Sequence, residues 1–354
     1  MPGFIPFRQV LATSPVAVRP SIVAATHPDW LPFAENHGAT AFHHPAWSSV
    51  LADAYGYEAG VVALVSSDGR VHAGLPFMDV RSRLTGSRRV ALPFTDHSPA
   101  LCTPGLEVEL VNALRDWASV GGPVKVHARL PGEDRHLVCA GVRHLLQLDD
   151  AETMRARLSK TPVGRALRKA GKSELTTTIE RDLGAVRAYY RLHCLTRRRQ
   201  GVPVQPWRFF RLLHQRLVAE GLGMVVLARF RGRPVAGAVF LSWNSTLIYK
   251  YGASDPAFLE LRPNNLVMWQ AIEWGSANGC RILDFGKTDT YNVGLRRFKS
   301  GWGAQEVPHH HTVLPDGAGP ERSGLAMRAA SHVIRRSPVV AARAIGELLY
   351  GHFA

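Results

Sequence analysis

The chain has 354 residues, with 43 Lys and Arg against 28 Asp and Glu, a net charge of +15 and a pI near 10.2. That length suits two domains of ordinary size with a substantial core. No apolar run approaches the roughly 18 residues of a membrane span, and no basic segment at the start leads into a long apolar one, which argues against a span and against a secretory leader. The positive excess has two readings: polyanionic company such as tRNA, nucleotide phosphates or anionic lipid, or an Arg-rich composition of the kind GC-rich genomes produce. Cys102, Cys139, Cys194 and Cys280 are far apart and mostly in apolar runs. They read as reduced core residues of a cytoplasmic protein, and no metal site is expected.

In chain order, residues 1–40 are proline-rich, with one strand expected at 21–25. A helix begins at Phe42 with Pro45 in its first turn. Strands at 58–65 and 70–80 flank the turn Ser67-Asp68-Gly69. A strand at 88–94 leads into the polar loop Thr95-Asp96-His97-Ser98-Pro99. A helix over 107–121 and strands at 124–128 and 143–149 complete the first half, 1–150. The second half, 151–315, starts with a helix whose acidic first turn suits the positive end of a helix dipole. The basic run 160–172 is either a solvated helix face or a phosphate contact. A strand at 175–179, helices at 183–198 and 209–220, and a three-strand meander over 224–251 follow.

From 247 to 303 the pattern is strand, turn, amphipathic helix, strand, then a loop crowded with polar groups. Pro263 fits a first helical turn, Leu266, Trp269 and Ile272 form a buried stripe, and Asn278-Gly279 stops the helix. Such a unit lays two strands side by side, and ligands bind beyond their carboxyl ends. Asp284, Lys287, Thr288 and Asp289 fall there, with Arg296, Arg297 and Lys299 in the loop that follows. A Pro/Gly linker then leads into a basic, helical tail over 316–354, read either as docking on the domain or as an interfacial helix.

Tyr251-Gly252-Ala253-Ser254, Asn265-x-x-x-Trp269-x-x-Ile272-x-Trp274, Gly279, Asp284-Phe285-Gly286 and Gly294-Leu295-x-x-Phe298-Lys299-x-x-Trp302-Gly303 stand in this order along the chain. Together they resemble the Fem (FemABX) aminoacyltransferases and their relatives with a BioF2-like acetyltransferase domain, all GNAT-fold N-acyltransferases. Upstream, 196–203 and Phe42-x-x-Pro45-x-Trp47 fit as well, so the likeness covers roughly 42–313. It implies an α/β (α+β) fold of two tandem GNAT-like halves, each a mixed, mostly antiparallel sheet flanked by helices. The spacing between Tyr190 and Pro206 leaves no room for the long two-helix arm that some Fem proteins insert.

The resemblance implies amide formation, which needs a neutral amine, a route for its proton and donors for an oxyanion. Lys299 stands where Fem-like enzymes carry a functional lysine. Its ammonium is expected to stabilise the oxyanion or the donor's phosphates, with Asp284 and Asp289 orienting it or the amine; holding backbone groups is the equal alternative for Asp284. Arg197, Arg198 and Arg199 suit phosphate oxygens, Tyr251 a substrate hydrogen bond, and Asp96 with His97 the acceptor cleft. Asn265, Lys287, Arg296 and Trp302 complete the expected substrate-binding set. His309-His310-His311 looks like a metal cluster, but adjacent strand residues point to opposite faces. The segment before Pro263 lacks the glycines of a pyrophosphate loop, which favours an aminoacyl-tRNA donor over acyl-CoA.

The expected activity is therefore aminoacyl transfer to a UDP- or lipid-linked peptidoglycan precursor or another amine, with no tightly bound cofactor. An acyl-CoA-dependent enzyme and a non-catalytic RNA- or membrane-binding domain are the alternatives. A cytoplasmic monomer is expected, with the tail as a route to the inner face of a membrane.

Overall fold

The structure, a computed structural model, describes residues 16–82, 86–134, 137–314, 331 and 334–352. Its first half contributes β1 (Val18–Ala24), β2 (Glu58–Ser66), β3 (Val71–Ser82), β4 (Gly86–Val90), β5 (Leu101–Cys102), β6 (Val124–Val126) and β7 (Leu137–Gln147). Its second half adds β8 (Leu175–Glu180), β9 (Gly223–Phe230), β10 (Arg233–Trp243), β11 (Thr246–Ser254), β12 (Ile282–Thr288) and β13 (Gln305–Leu314).

These strands do not form two separate sheets. They join in one, in the order β1-β2-β3-β4-β6-β13-β7-β12-β11-β10-β9-β8, with β5 on β3. The halves interlock because β7 lies between β12 and β13, antiparallel to both, while β13 also pairs with β6.

The helices form where the local sequence supplies their ends. In α2 (Pro45–Tyr55), proline takes the first turn, His44 caps the Ala46 N–H, and Gly56 ends the helix at φ 74°. Asp150 caps α4 (Ala151–Leu158) through the Thr153 N–H, and Asp182 caps α6 (Leu183–Gln200) through Ala185. Gly201, at φ 72°, stops α6. The remaining helices are α1 (Trp30–Asn36), α3 (Glu107–Gly121), α5 (Pro162–Gly171), α7 (Trp207–Leu213), α8 (Pro263–Ala277), α9 (Val293–Ser300) and α10 (Val339–Leu349).

Two layers pack on the sheet. One core joins Trp47, Leu51 and Met78 of the first half to Tyr189, Phe209, Phe210 and Val239 of the second. The other packs α8 and α9 against the second half through Trp269, Ile272, Leu283, Phe285 and Trp302. Because the first core draws on both halves, burying it fixes them against each other.

The polar stretch 284–303 differs from the expected loop. The strand β12 continues to Thr288, and α9 follows, capped by Asn292 Oδ1 on the Leu295 N–H at 3.2 Å. Arg296, Arg297 and Lys299 thus sit on a helix. Its polar surface hides one buried face made by Lys299, with Phe298 against Trp302.

The tail docks where it is described. Trp207 N–H donates to Glu347 Oε1 at 2.9 Å, Tyr57 Oη to Gly351 O at 2.6 Å, and Tyr350 is buried against Tyr55 and Phe94. Arg343 and Glu347 pair at 3.7 Å along one face of α10. Over 339–352 the tail thus makes the contacts of the docked reading. The linker and most of the first tail helix, 315–330, lie outside the described residues.

Candidate active site

The site begins with an interruption in the sheet. Parallel pairing of β11 with β12 lasts for Thr246↔Ile282, Leu247↔Leu283 and Ile248↔Asp284, and then stops although both strands continue. On its other side β12 shifts register against β7 between Asp284 and Lys287. Gly286 sits in that bulge at φ 70°, where a Cβ would stand 2.8 Å from Asp96 Oδ2. Bulges re-aim side chains and free backbone groups from the ladder.

Lys299 reaches into this interruption from α9. Its Nζ donates to Gly286 O at 3.0 Å and to Lys287 O at 3.3 Å, and the residue is 2% exposed. Burial pushes its ammonium down to about 8, while Asp96 and Asp284 act in the opposite direction. The ammonium in turn disfavours protonation of His144 on β7, whose main shift comes from burial.

Asp284 is held twice: Arg143 Nη2 donates to Oδ2 at 2.6 Å, and the Gly286 N–H donates to Oδ1 at 2.8 Å. Asp96 Oδ2 lies 3.5 Å from Lys250 Nζ, which also donates to Phe94 O at 2.6 Å. Lys250 sits over the rings of Phe42, Trp47 and Tyr251. The strand interruption thus gathers Asp96, Asp284 and Lys299 with two residues the sequence reading did not single out, Arg143 and Lys250.

His97 lies beside this cluster, its ring 5.9 Å from His309. Burial, then Arg143, pushes both imidazoles down, His97 to about 2 and His309 to about 4. The histidine run that looked like a distraction therefore supplies one wall of the site. No group of three or more His, Cys, Asp or Glu able to hold a metal exists among the described residues.

Other expected residues lie elsewhere. Asp289 turns outward, 3.4 Å from Lys287 Nζ and bonded by Tyr291 Oη, so its contacts do not orient Lys299. Arg296 is tied to Glu306 by two hydrogen bonds of 2.9 and 2.7 Å. Arg197 donates to Pro203 O, and its charge acts on Tyr55, Tyr251 and Tyr350 beneath the docked tail. Arg198 is half-buried and Arg199 exposed at the end of α6. Tyr251 is half-buried, its ring packed among His193, Phe209 and Phe210. Asn265 occupies the first turn of α8. Trp302 lines a separate cavity of about 240 Å³ with Leu146, Met154 and Leu158.

Two consequences follow from the Lys299 environment. Because its folded value lies below the usual lysine value near 10.4, the unfolded chain binds more protons between about pH 8 and 10. Stability should rise with pH across that window, with the cost of the buried charge complete below it. Urea midpoints at pH 7.5 and 9.5 check this, and Lys299→Met should remove the rise. Gly286→Ala should cost about 1–2 kcal/mol from its left-handed φ alone and displace Asp96, read as a lower unfolding midpoint and altered Asp96 resonances.

The acetyltransferase (GNAT) domain family matches residues 157–300. Over those residues the chain is similar to the GNAT acyltransferases. The fold is similar to that of FemX, with a TM-score of 0.64 and 14% identity, covering 83% of this chain and 97% of FemX. It is also similar to L-PGS from Bacillus licheniformis, at 0.54 and 15%, covering 89% and 99%. A tandem GNAT protein from the clavulanic acid biosynthesis pathway aligns at 0.50 and 11%, covering 85% and 100%. Among curated proteins none matches this chain in sequence. The Fem-like resemblance read from the motifs thus holds at the level of the fold.

Proposed function

We propose that this acyltransferase moves an aminoacyl group from aminoacyl-tRNA to the amine of a peptidoglycan precursor or a small molecule. The observation that carries this reading is the buried Lys299 ammonium at the interrupted edge between β11 and β12, with Asp96 beside it. A neutral amine attacks the ester carbonyl, a C–N bond forms, and the C–O bond to the tRNA 3′ end breaks. The amine proton leaves as the ribose oxygen gains one. Lys299 donates to the oxyanion between these events, in a site that excludes most water. Asp96 faces the same space and binds the incoming amine.

Donor choice rests on the entrance to α8. A pyrophosphate would need free backbone N–H groups there. Ala257 N–H is bonded to Asp255 Oδ1 and Phe258 N–H to Asp255 O. Arg262 N–H goes to Leu259 O and Asn265 N–H to Arg262 O. These donors are spent on the turn itself, which favours tRNA over CoA. The match to an acetyltransferase domain favours the second reading, transfer from acyl-CoA.

Filter binding with a non-hydrolysable aminoacyl-tRNA analogue tests the choice. Salt-sensitive binding that millimolar CoA does not displace is expected. Displacement by micromolar CoA would transfer the case to the second reading. Among the described residues no helix is long and apolar enough to cross a membrane. We place the enzyme in the cytoplasm, at the inner membrane face when its acceptor is lipid-linked.

A further inference from the structure

The wall opposite Lys299 has a chemistry that the transfer reaction itself does not use. Strands β7, β12 and β13 bring Arg143, Lys287 and His309 to one face of the sheet, because Lys287 pairs with Arg143 and His309 with Gly141, two residues along β7. The loop carrying Asp96 and His97 and the segment after β6 carrying His127 close over that face.

Three polar atoms there are buried and have no hydrogen-bond partner among the described residues: His97 Nδ1, His127 Nε2 and Arg143 Nε. The guanidinium spends one edge on Asp284 and leaves Nε idle. Unmet buried polar atoms of this kind are rare, because each forfeits its hydration without return.

The field at the cluster has one dominant sign. The charged neighbours felt by His97 and His127 are Arg143, Lys125 and Lys287, together with other imidazoles. His309 feels Arg143 and Lys287, opposed by Asp96, and Asp284 balances part of the Arg143 charge at 2.6 Å. Arginine presents a planar set of donors that matches an oxyanion better than a point charge does.

We infer that Arg143, His97, His127 and His309 form a subsite for an oxyanion, a carboxylate or phosphate, carried by the acyl acceptor. The inference rests on the acceptor entering beside Asp96, as proposed above. An anion there accepts from Arg143 Nε and from an imidazole that takes up a proton as it binds. Asp96 holds the amine while this subsite holds the anionic group, which selects acceptors carrying both. An amino acid, an amino-terminated peptide acid and a phosphorylated amine all meet that description.

The test uses the full-length protein without donor, so that its outcome is separate from the identity of the acyl donor. Imidazole resonances are followed by NMR while inorganic phosphate or sodium acetate is added at pH 7. Shifts concentrated at His97, His127 and His309, with proton uptake, are expected. Acetate acting alone would identify a carboxylate acceptor and phosphate acting alone a phosphorylated one. The apparent Kd should rise at least about tenfold in Arg143→Gln, the loss of one charge-assisted hydrogen bond.

Should that variant fold poorly, His309→Asn and His97→Asn carry the same expectation. Absence of a response to either anion at these three histidines would overturn the inference. So would an unchanged Kd in the folded variants, or equal shifts at His37 and His72, which would mark non-specific attraction to a basic protein.

Discussion

Replacing Lys299 with Met is expected to lower kcat by roughly 10²–10³-fold, the size of effect seen when one oxyanion donor is removed. The fold should survive. Met is unbranched, similar in length and suited to an irregular buried space, and the change removes a desolvated charge from a residue 2% exposed. The two carbonyls of Gly286 and Lys287 lose their shared donor, a modest cost set against that relief. The thermal midpoint should therefore stay level or rise while transfer is lost. Unchanged turnover in a folded Lys299→Met protein would show that the ammonium takes no part in the chemistry.

Arg143→Met carries the largest expected effect on stability. The Asp284 side chain is 6% exposed and Arg143 13% exposed, and they meet at 2.6 Å. Removing the guanidinium leaves a buried carboxylate with the Gly286 N–H as its remaining hydrogen bond, at a cost of about 3–5 kcal/mol. The bulge at Gly286 depends on that carboxylate, so β12 should loosen against β7. Pairing the change with Asp284→Asn should recover much of the loss, because the orphaned charge is then gone. Urea unfolding of the two single variants and the double variant measures the coupling. A single-variant cost below about 1 kcal/mol would show the pair to be a surface-like contact, contrary to its burial.

Much of the fold could be read in the chain because its signals are local. Residues 107–121 become α3 with those limits, and the meander over 224–251 becomes β9 to β11 because short apolar runs, buried almost throughout, and the Arg231-Gly232 turn are short-range features. The strand-helix-strand unit around Pro263 lays β11 beside β12 as expected. What could not be read was the partner of β7. Its insertion between β12 and β13 joins residues some 140 positions apart, and alternation along one strand does not say which neighbour it meets. The same long-range pairing hid Arg143, which looked like one arginine among many. Lys250 was hidden for a similar reason: strand periodicity places it near a surface, yet the Phe94 carbonyl and three aromatic rings enclose it.

The site divides along the same line. Lys299, Asp284 and Asp96 were accessible from motif and loop position, and the structure brings them together around Gly286. Asp289 and Arg296 shared the neighbourhood in sequence but turn to Lys287 and Glu306, because the end of β12 and the outward face of α9 point them away. His309 was set aside because consecutive histidines cannot converge on one metal. Alternation did separate the three rings, and it directed His309 inward to His97.

The most direct measurement is transfer itself. A mixed pool of radiolabelled aminoacyl-tRNA is incubated with the protein and a UDP-linked peptidoglycan precursor, with and without ribonuclease, and with acetyl-CoA as a parallel donor. The account predicts label on the acceptor amine that disappears with ribonuclease and with Lys299→Met. Label arriving from acetyl-CoA alone would contradict it, and would mean that the turn before α8 opens to receive a pyrophosphate.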